Sequence, residues 1–165
     1  MHMLDAVFAK LKEFAKSGKP VWGTCAGCIL LSDHVSSSLG GGDNHAHRHL
    51  ESVQATSLYA EQHIGGININ TCRNFFGRQT KSFETVAISN VPELNDFPCV
   101  FIRAPAIAHV GTGATPLATI KYGDEEITVA AQQGNLFVTC FHPELTSDDR
   151  VHRYFLSMVK ACKSA

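Results

Sequence analysis

Val21-Trp22-Gly23-Thr24-Cys25-Ala26-Gly27-Cys28-Ile29-Leu30-Leu31 changes character within a dozen residues. Val21 to Thr24 reads as a short apolar strand. Small residues follow, and then an apolar stretch that can start a helix. A strand, a tight turn and a helix in so short a span predict an α/β unit. Cys25 sits on the turn. A nucleophile at such a turn needs small neighbours, because the backbone crowds the following helix, and Gly23 and Gly27 supply them. The helix start adds unpaired N–H groups and a positive dipole end, which favour thiolate. The Ala26 N–H then points where a tetrahedral oxyanion forms. Taken alone, the same pattern also fits a buried structural cysteine.

Working outward, Leu4, Val7, Phe8, Leu11 and Phe14 recur at helical spacing before Gly18 and Pro20, which predicts a helix from about Leu4 to Lys16. Residues 34–63, rich in Ser, Gly and His, read as a flexible insertion. Its His45, His47 and His49 have imidazoles suited to zinc or copper, but no thiolate or carboxylate stands at a recognisable offset. A solvated loop without metal is the preferred reading. From Ile64 to Phe141 the pattern is mostly β, with candidate strands at Ile67–Cys72, Ser82–Ile88, Cys99–Ala104, Leu117–Tyr122, Ile127–Gln132 and Leu136–Phe141. Gln133-Gly134-Asn135 suits a hairpin turn. Val151, Tyr154, Phe155, Met158, Val159 and Cys162 mark a C-terminal helix, with Thr146 or Ser147 as cap and Asp148 and Asp149 in its first turn.

The chain has 165 residues, 18% charged and 44% hydrophobic, which suits one domain. A net charge of −1 gives no electrostatic case for nucleic acid or an anionic membrane. No apolar run approaches the roughly 20 residues of a bilayer span. Six cysteines without a framework pattern, and no export signal, point to thiols in a reducing compartment, with the cytoplasm as the default.

A second constellation is Val138-Thr139-Cys140-Phe141-His142-Pro143-Glu144. Pro143 biases His142 toward extended geometry, and residues i and i+2 of an extended segment project to one side. Glu144 can then hold one imidazole nitrogen while the other faces a thiol, the nucleophile–base–orienter arrangement of acyl transfer. Without Cys25, the preferred reading of His142 is a residue capping the last helix, with Glu144 a surface acid near its N-terminus. Cys25 is what turns the reading toward catalysis.

Four motifs occur in order: Gly23-Thr24-Cys25-Ala26-Gly27, Arg73-Asn74-Phe75-Phe76-Gly77-Arg78-Gln79, Phe101-Ile102-Arg103-Ala104-Pro105 and Phe141-His142-Pro143-Glu144-Leu145. The set closely resembles the glutaminase subunits of pyridoxal 5'-phosphate synthase, which are class I, triad-type glutamine amidotransferases. The resemblance covers about Pro20 to the C-terminus apart from the insertion. It implies Cys25 as nucleophile, His142 as proton shuttle, Glu144 as its orienter, and Arg73, Ile102 and Arg103 as contacts to L-glutamine. An arginine fork suits an α-carboxylate on chemical grounds as well; for Arg78 a structural ion pair is an equal reading. The implied partner is a synthase subunit that consumes the ammonia, and the implied chemistry uses no cofactor.

The implied fold is α/β, three-layered and flavodoxin-like, with a largely parallel central sheet and the site at the carboxyl ends of the strands. Residues 1–165 would form one incomplete domain. The family's first strands, about 40 residues of elements and loops, have no counterpart before Val21. With them goes a Gly-Gly-Glu-Ser type loop that supplies a second oxyanion donor. Two other functions stay open. One is a non-catalytic homologue that binds and regulates the synthase. The other is a thiol–disulfide oxidoreductase using Cys25-Ala26-Gly27-Cys28.

Overall fold

The computed structural model describes residues 3–37, 63–76 and 82–164. Helix α1 (Met3–Lys16) leads to strand β1 (Val21–Thr24), helix α2 (Ala26–Leu31) and strand β2 (Ser32–Ser37). Strands β3 (Ile67–Arg73), β4 (Phe83–Val86), β5 (Pro98–Phe101), β6 (Ala106–Val110), β7 (Thr115–Tyr122), β8 (Glu125–Gln133) and β9 (Leu136–Thr139) follow, and helix α3 (Arg150–Ser164) closes the chain. The strand–turn–helix unit and the terminal helix stand where the residue pattern puts them. Strand β2 takes up the first positions of the segment expected as an insertion at 34–63; residues 38–62, including His45, His47 and His49, lie outside the described residues.

The central sheet runs β1-β9-β8-β6-β3-β2, with β7 also paired to β8. The α/β class holds, but the expected largely parallel sheet is instead mixed. Among the described residues only β1–β9 and β2–β3 pair in parallel; β3–β6, β6–β8, β7–β8 and β8–β9 are antiparallel. The reason lies in short returns: β8 reaches β9 through the Gly134-Asn135 turn, with Gly134 at φ 55°. Tyr122 to Glu125 closes β7 onto β8 in the same way. Tight hairpins impose antiparallel pairing, because a parallel neighbour needs a long crossover. The candidate strands at Ser82–Ile88 and Cys99–Ala104 form a separate two-stranded ribbon, β4–β5. Strand β6 has no counterpart among the expected strands.

Layering follows from alternation along β1. A Cβ on Gly23 would meet Gly27 and Leu31, so that face carries α2. Its neighbour Trp22 faces the other way. There it stacks on Phe137 at 5.6 Å between ring centroids and meets Phe155 and His152 of α3. Helices therefore cover both faces at β1–β9, giving three layers there. Helix α3 begins later than expected, at Arg150. The Asp148 carboxylate accepts the Arg150 N–H at 3.0 Å, so it caps the helix from outside instead of lying in the first turn. Helix α1 forms as its period predicts, yet Val7, Leu11 and Phe14 on the apolar stripe are exposed.

A second packing centre is aromatic. Phe76 lies 5.1 Å from Phe83, 5.2 Å from Phe101 and 5.0 Å from Tyr122, and Phe101 lies 6.0 Å from Phe141. Phe76, Phe101 and Phe141 are buried, and each such ring contributes about 1.5–3 kcal/mol by leaving water. These three rings belong to the two arginine motifs and the His-Pro-Glu motif. Their packing gathers segments far apart in sequence at one end of the molecule.

Candidate active site

Cys25 occupies the turn between β1 and α2 with φ 47° and ψ −102°. That positive φ is costly for a side chain with a Cβ, of order 1–3 kcal/mol, and persists only where surroundings enforce it. Here the enforcement is visible. The Cys25 N–H donates to the Thr139 carbonyl at 2.8 Å, and the Cys28 N–H donates to the Cys25 carbonyl at 3.1 Å. Thr139 is itself locked, since its hydroxyl accepts from the Trp22 indole N–H at 3.2 Å. Asn74 (φ 53°) and Arg103 (φ 50°) share the left-handed region, so among the described residues three of the four non-glycine residues with positive φ lie in the motifs. Strain of this kind clusters at functional sites.

Of the two glycines flanking the Cys25 turn, only Gly23 is sterically required. A Cβ there would stand 2.5 Å from the Gly27 carbonyl carbon and oxygen, whereas a Cβ on Gly27 meets nothing within 4 Å.

His142 follows β9 by three residues, and its N–H donates to the Val100 carbonyl at 2.9 Å, tying it to β5. Because β1 and β9 are parallel neighbours with Thr24 opposite Thr139, Cys25 and His142 both emerge at the carboxyl ends of adjacent strands. The His142 Nδ1 and a Glu144 carboxylate oxygen are 2.8 Å apart. Glu144 reaches the ring from a single 3-10 turn, Pro143–Leu145, not from the extended segment the sequence suggests. The turn still brings both side chains to one side. With Nδ1 engaged by the carboxylate, Nε2 is the ring nitrogen left for a thiol. The His142 side chain is 21% exposed and that of Glu144 49%, so the pair borders solvent.

Burial alone would raise the Glu144 carboxyl. The hydrogen bond with His142, its own backbone N–H, and the charges of His142 and His152 outweigh that and hold it below the ordinary value. Cys25 behaves contrary to the expectation of a favoured thiolate. Burial pushes its thiol up, and the Ala26 N–H on the sulfur opposes this without cancelling it. The charges of Cys28 and Glu144 push it further up. The resting thiol therefore needs a base at hand.

Arg73 ends β3, next to the turn that carries Phe76. Ile102 and Arg103 follow β5 directly and are exposed. Packing among Phe76, Phe101 and Phe141 brings the backbone around all three residues toward His142. Arg78 lies outside the described residues. Sequence reasoning missed Thr139, Val100 and His152, whose contributions come through strand register and packing. Among the described residues no group of three metal-binding side chains occurs, and no helix is long and apolar enough to cross a membrane.

The arrangement can do nucleophilic acyl chemistry: a thiol on a strained turn, a backbone N–H beside it, and an imidazole held by a carboxylate. Comparison with known proteins agrees with that chemistry. Residues 50–161 match the SNO glutamine amidotransferase family. The chain is 43% identical over 158 residues to pyridoxal 5'-phosphate synthase subunit PdxT of Halalkalibacterium halodurans, covering 95% of this chain and 67% of that protein. It is 37% identical over 181 residues to the probable pyridoxal 5'-phosphate synthase subunit PDX2 of Arabidopsis thaliana, covering 93% and 63%. It thus spans about two thirds of the length of these curated relatives. A solved crystal structure of a glutamine amidotransferase superposes with a TM-score of 0.69 at 33% identity, covering 93% of this chain and 68% of that one.

Proposed function

The chain belongs to the SNO glutamine amidotransferase family, and from that membership we propose that it hydrolyses L-glutamine to glutamate and ammonia through a thioester on Cys25. The ammonia passes to a synthase subunit that builds pyridoxal 5'-phosphate; the relatives' names carry that partner. In this reading His142 takes the Cys25 proton and the sulfur attacks the side-chain amide carbon. The Ala26 N–H faces the oxyanion that develops. His142 returns the proton to the leaving nitrogen, ammonia departs, and His142 then activates the water that cleaves the thioester. Glu144 keeps the ring oriented and stabilises the imidazolium. Arg73 and Arg103 hold the substrate's α-carboxylate, with Ile102 beside them.

The observation that carries this reading is the 2.8 Å His142–Glu144 pair at the end of β9, the strand whose Thr139 carbonyl holds the Cys25 N–H. The oxidoreductase alternative leaves the His142–Glu144 pair without a role. The test is glutamate and ammonia release from glutamine by the purified chain, with and without the synthase subunit. Release that disappears in Cys25→Ala supports the proposal. Binding to the synthase with no release in any condition would instead favour the regulatory homologue.

A further inference from the structure

Cys28 and Cys140 meet inside the protein where the amidase chemistry makes no use of them. They are 112 residues apart in sequence, one on α2 and one just past β9, and their sulfurs stand 3.9 Å apart. Both are 0% exposed. Around them lies a small polar nest in an otherwise apolar core. Cys28 Sγ is 3.6 Å from the Thr71 hydroxyl, Thr71 is 2.5 Å from the Ser32 hydroxyl, and Ser32 donates to the Cys28 carbonyl. The two thiols are unequal. The hydrogen bond with Cys140 lowers Cys28 despite its burial, while burial drives Cys140 well above the ordinary range. Cys25 stands three residues before Cys28 at the start of α2, and the Cys28 N–H donates to the Cys25 carbonyl at 3.1 Å.

We propose that Cys28 and Cys140 are a redox-active pair that closes to an internal disulfide when a peroxide oxidises Cys25. The Cys25 thiolate attacks one peroxide oxygen, the O–O bond breaks, and hydroxide leaves to be protonated to water; Cys25 is then a sulfenic acid. The Cys28 thiolate attacks the Cys25 sulfur, the S–O bond breaks, and a second hydroxide leaves as water. Cys25 and Cys28 belong to one turn, closed by the Cys28 N–H on the Cys25 carbonyl at 3.1 Å, which makes this step local. The Cys140 thiolate attacks the Cys28 sulfur and expels Cys25 as thiolate, which regains a proton. In sum one peroxide becomes two waters and two thiols become one disulfide. The Cys28 and Cys140 sulfurs must close to about 2.05 Å for this bond. The nucleophile is returned reduced before it can advance to the irreversible sulfinic acid.

The inference rests on Cys25 being the reactive thiol of the proposed function, but not on glutamine as substrate, and its readout is mass, not amidase activity. The full chain is treated with one and then with several equivalents of hydrogen peroxide, denatured in an alkylating reagent and mapped by peptide mass spectrometry. The expected result is loss of two of the six thiols, a Cys28–Cys140 linked peptide pair reversed by dithiothreitol, and Cys25 still alkylated. Cys140→Ser should stop at a Cys25–Cys28 disulfide, Cys28→Ser should carry Cys25 on to sulfinic acid, and Cys25→Ser should lose the disulfide altogether. Wild-type protein that accumulates Cys25 sulfinic acid with no internal disulfide overturns the proposal, and so does a disulfide that forms as fast in Cys25→Ser as in wild type. The wild-type and Cys25→Ser results decide the matter even if the buried variants fail to fold.

Discussion

Replacing Gly23 with alanine tests how tightly the catalytic turn is built. The new Cβ would stand 2.5 Å from the Gly27 carbonyl carbon and oxygen and 2.9 Å from Leu31 Cδ1. Carbon contacts relax at roughly 3.5–4.0 Å, so the first turn of α2 has to withdraw by about 1 Å. Overpacking of this kind costs about 1–3 kcal/mol of stability. Because Cys25 caps α2 and Ala26 begins it, the same withdrawal displaces the proposed nucleophile. A displacement of about 1 Å at a reacting group costs on the order of 10² in rate. Gly27→Ala is the matched control. Its Cβ meets nothing within 4 Å, and alanine in place of glycine in a helix stabilises by about 0.5–1 kcal/mol. Urea unfolding gives the stability of both variants, and kcat for glutamine hydrolysis in the presence of the synthase gives the rate. A Gly23→Ala protein with wild-type midpoint and wild-type kcat would falsify the close approach of α2 to β1.

Three further outcomes follow from the geometry of the site. Glu144→Gln removes the charge behind the ring, and kcat should fall on the order of 10²-fold with KM little changed; an unaltered kcat contradicts its role as orienter. The Glu144 carboxyl is lower in the folded chain than free, so its stabilising contribution is present above the ordinary carboxylate range and fades as pH falls through the folded value. The stability gap to Glu144→Gln, less than about 1 kcal/mol for so exposed a pair, should be seen near neutral pH and close in acid. Burial raises the Cys25 thiol, so iodoacetamide inactivation of the unliganded chain should rise with pH around a midpoint above that of free cysteine; a midpoint below it contradicts the electrostatic account. Arg103→Ala should raise KM for glutamine about 10–100-fold, the loss of a charge-assisted hydrogen bond, and an unchanged KM would remove Arg103 from the substrate site.

The parts legible in the sequence were those whose geometry is local. The turn at Cys25, the hairpin at Gly134 and the amphipathic α3 each declare themselves within a few residues. The direction of strand pairing does not. Buried strands of either sense read as the same apolar runs, so nothing in Leu136–Thr139 says that β1 lies beside it in parallel and β8 antiparallel. Strand β2, Ser-Asp-His-Val-Ser-Ser, escaped notice because an edge strand can be polar on both faces. Strand β6 was hidden behind Pro105, which reads as a stop. Helix α1 shows the opposite failure. Its period is right, but a period says only that a face is apolar, and Val7, Leu11 and Phe14 stay exposed. In the candidate site, the contact between His142 and Glu144 was readable from their spacing. Thr139, Val100 and the Cys28–Cys140 contact were not, since each depends on segments that meet only after folding.

The most direct measurement is on the sulfur of Cys25 itself. The chain is mixed with glutamine and the synthase subunit, quenched in acid within the first turnovers, and each cysteine-bearing peptide is weighed. The account predicts a γ-glutamyl adduct on the Cys25 peptide that persists longer in His142→Ala supplied with a pre-formed thioester. An adduct on another cysteine, or glutamate released while Cys25 never carries the acyl group, would contradict it.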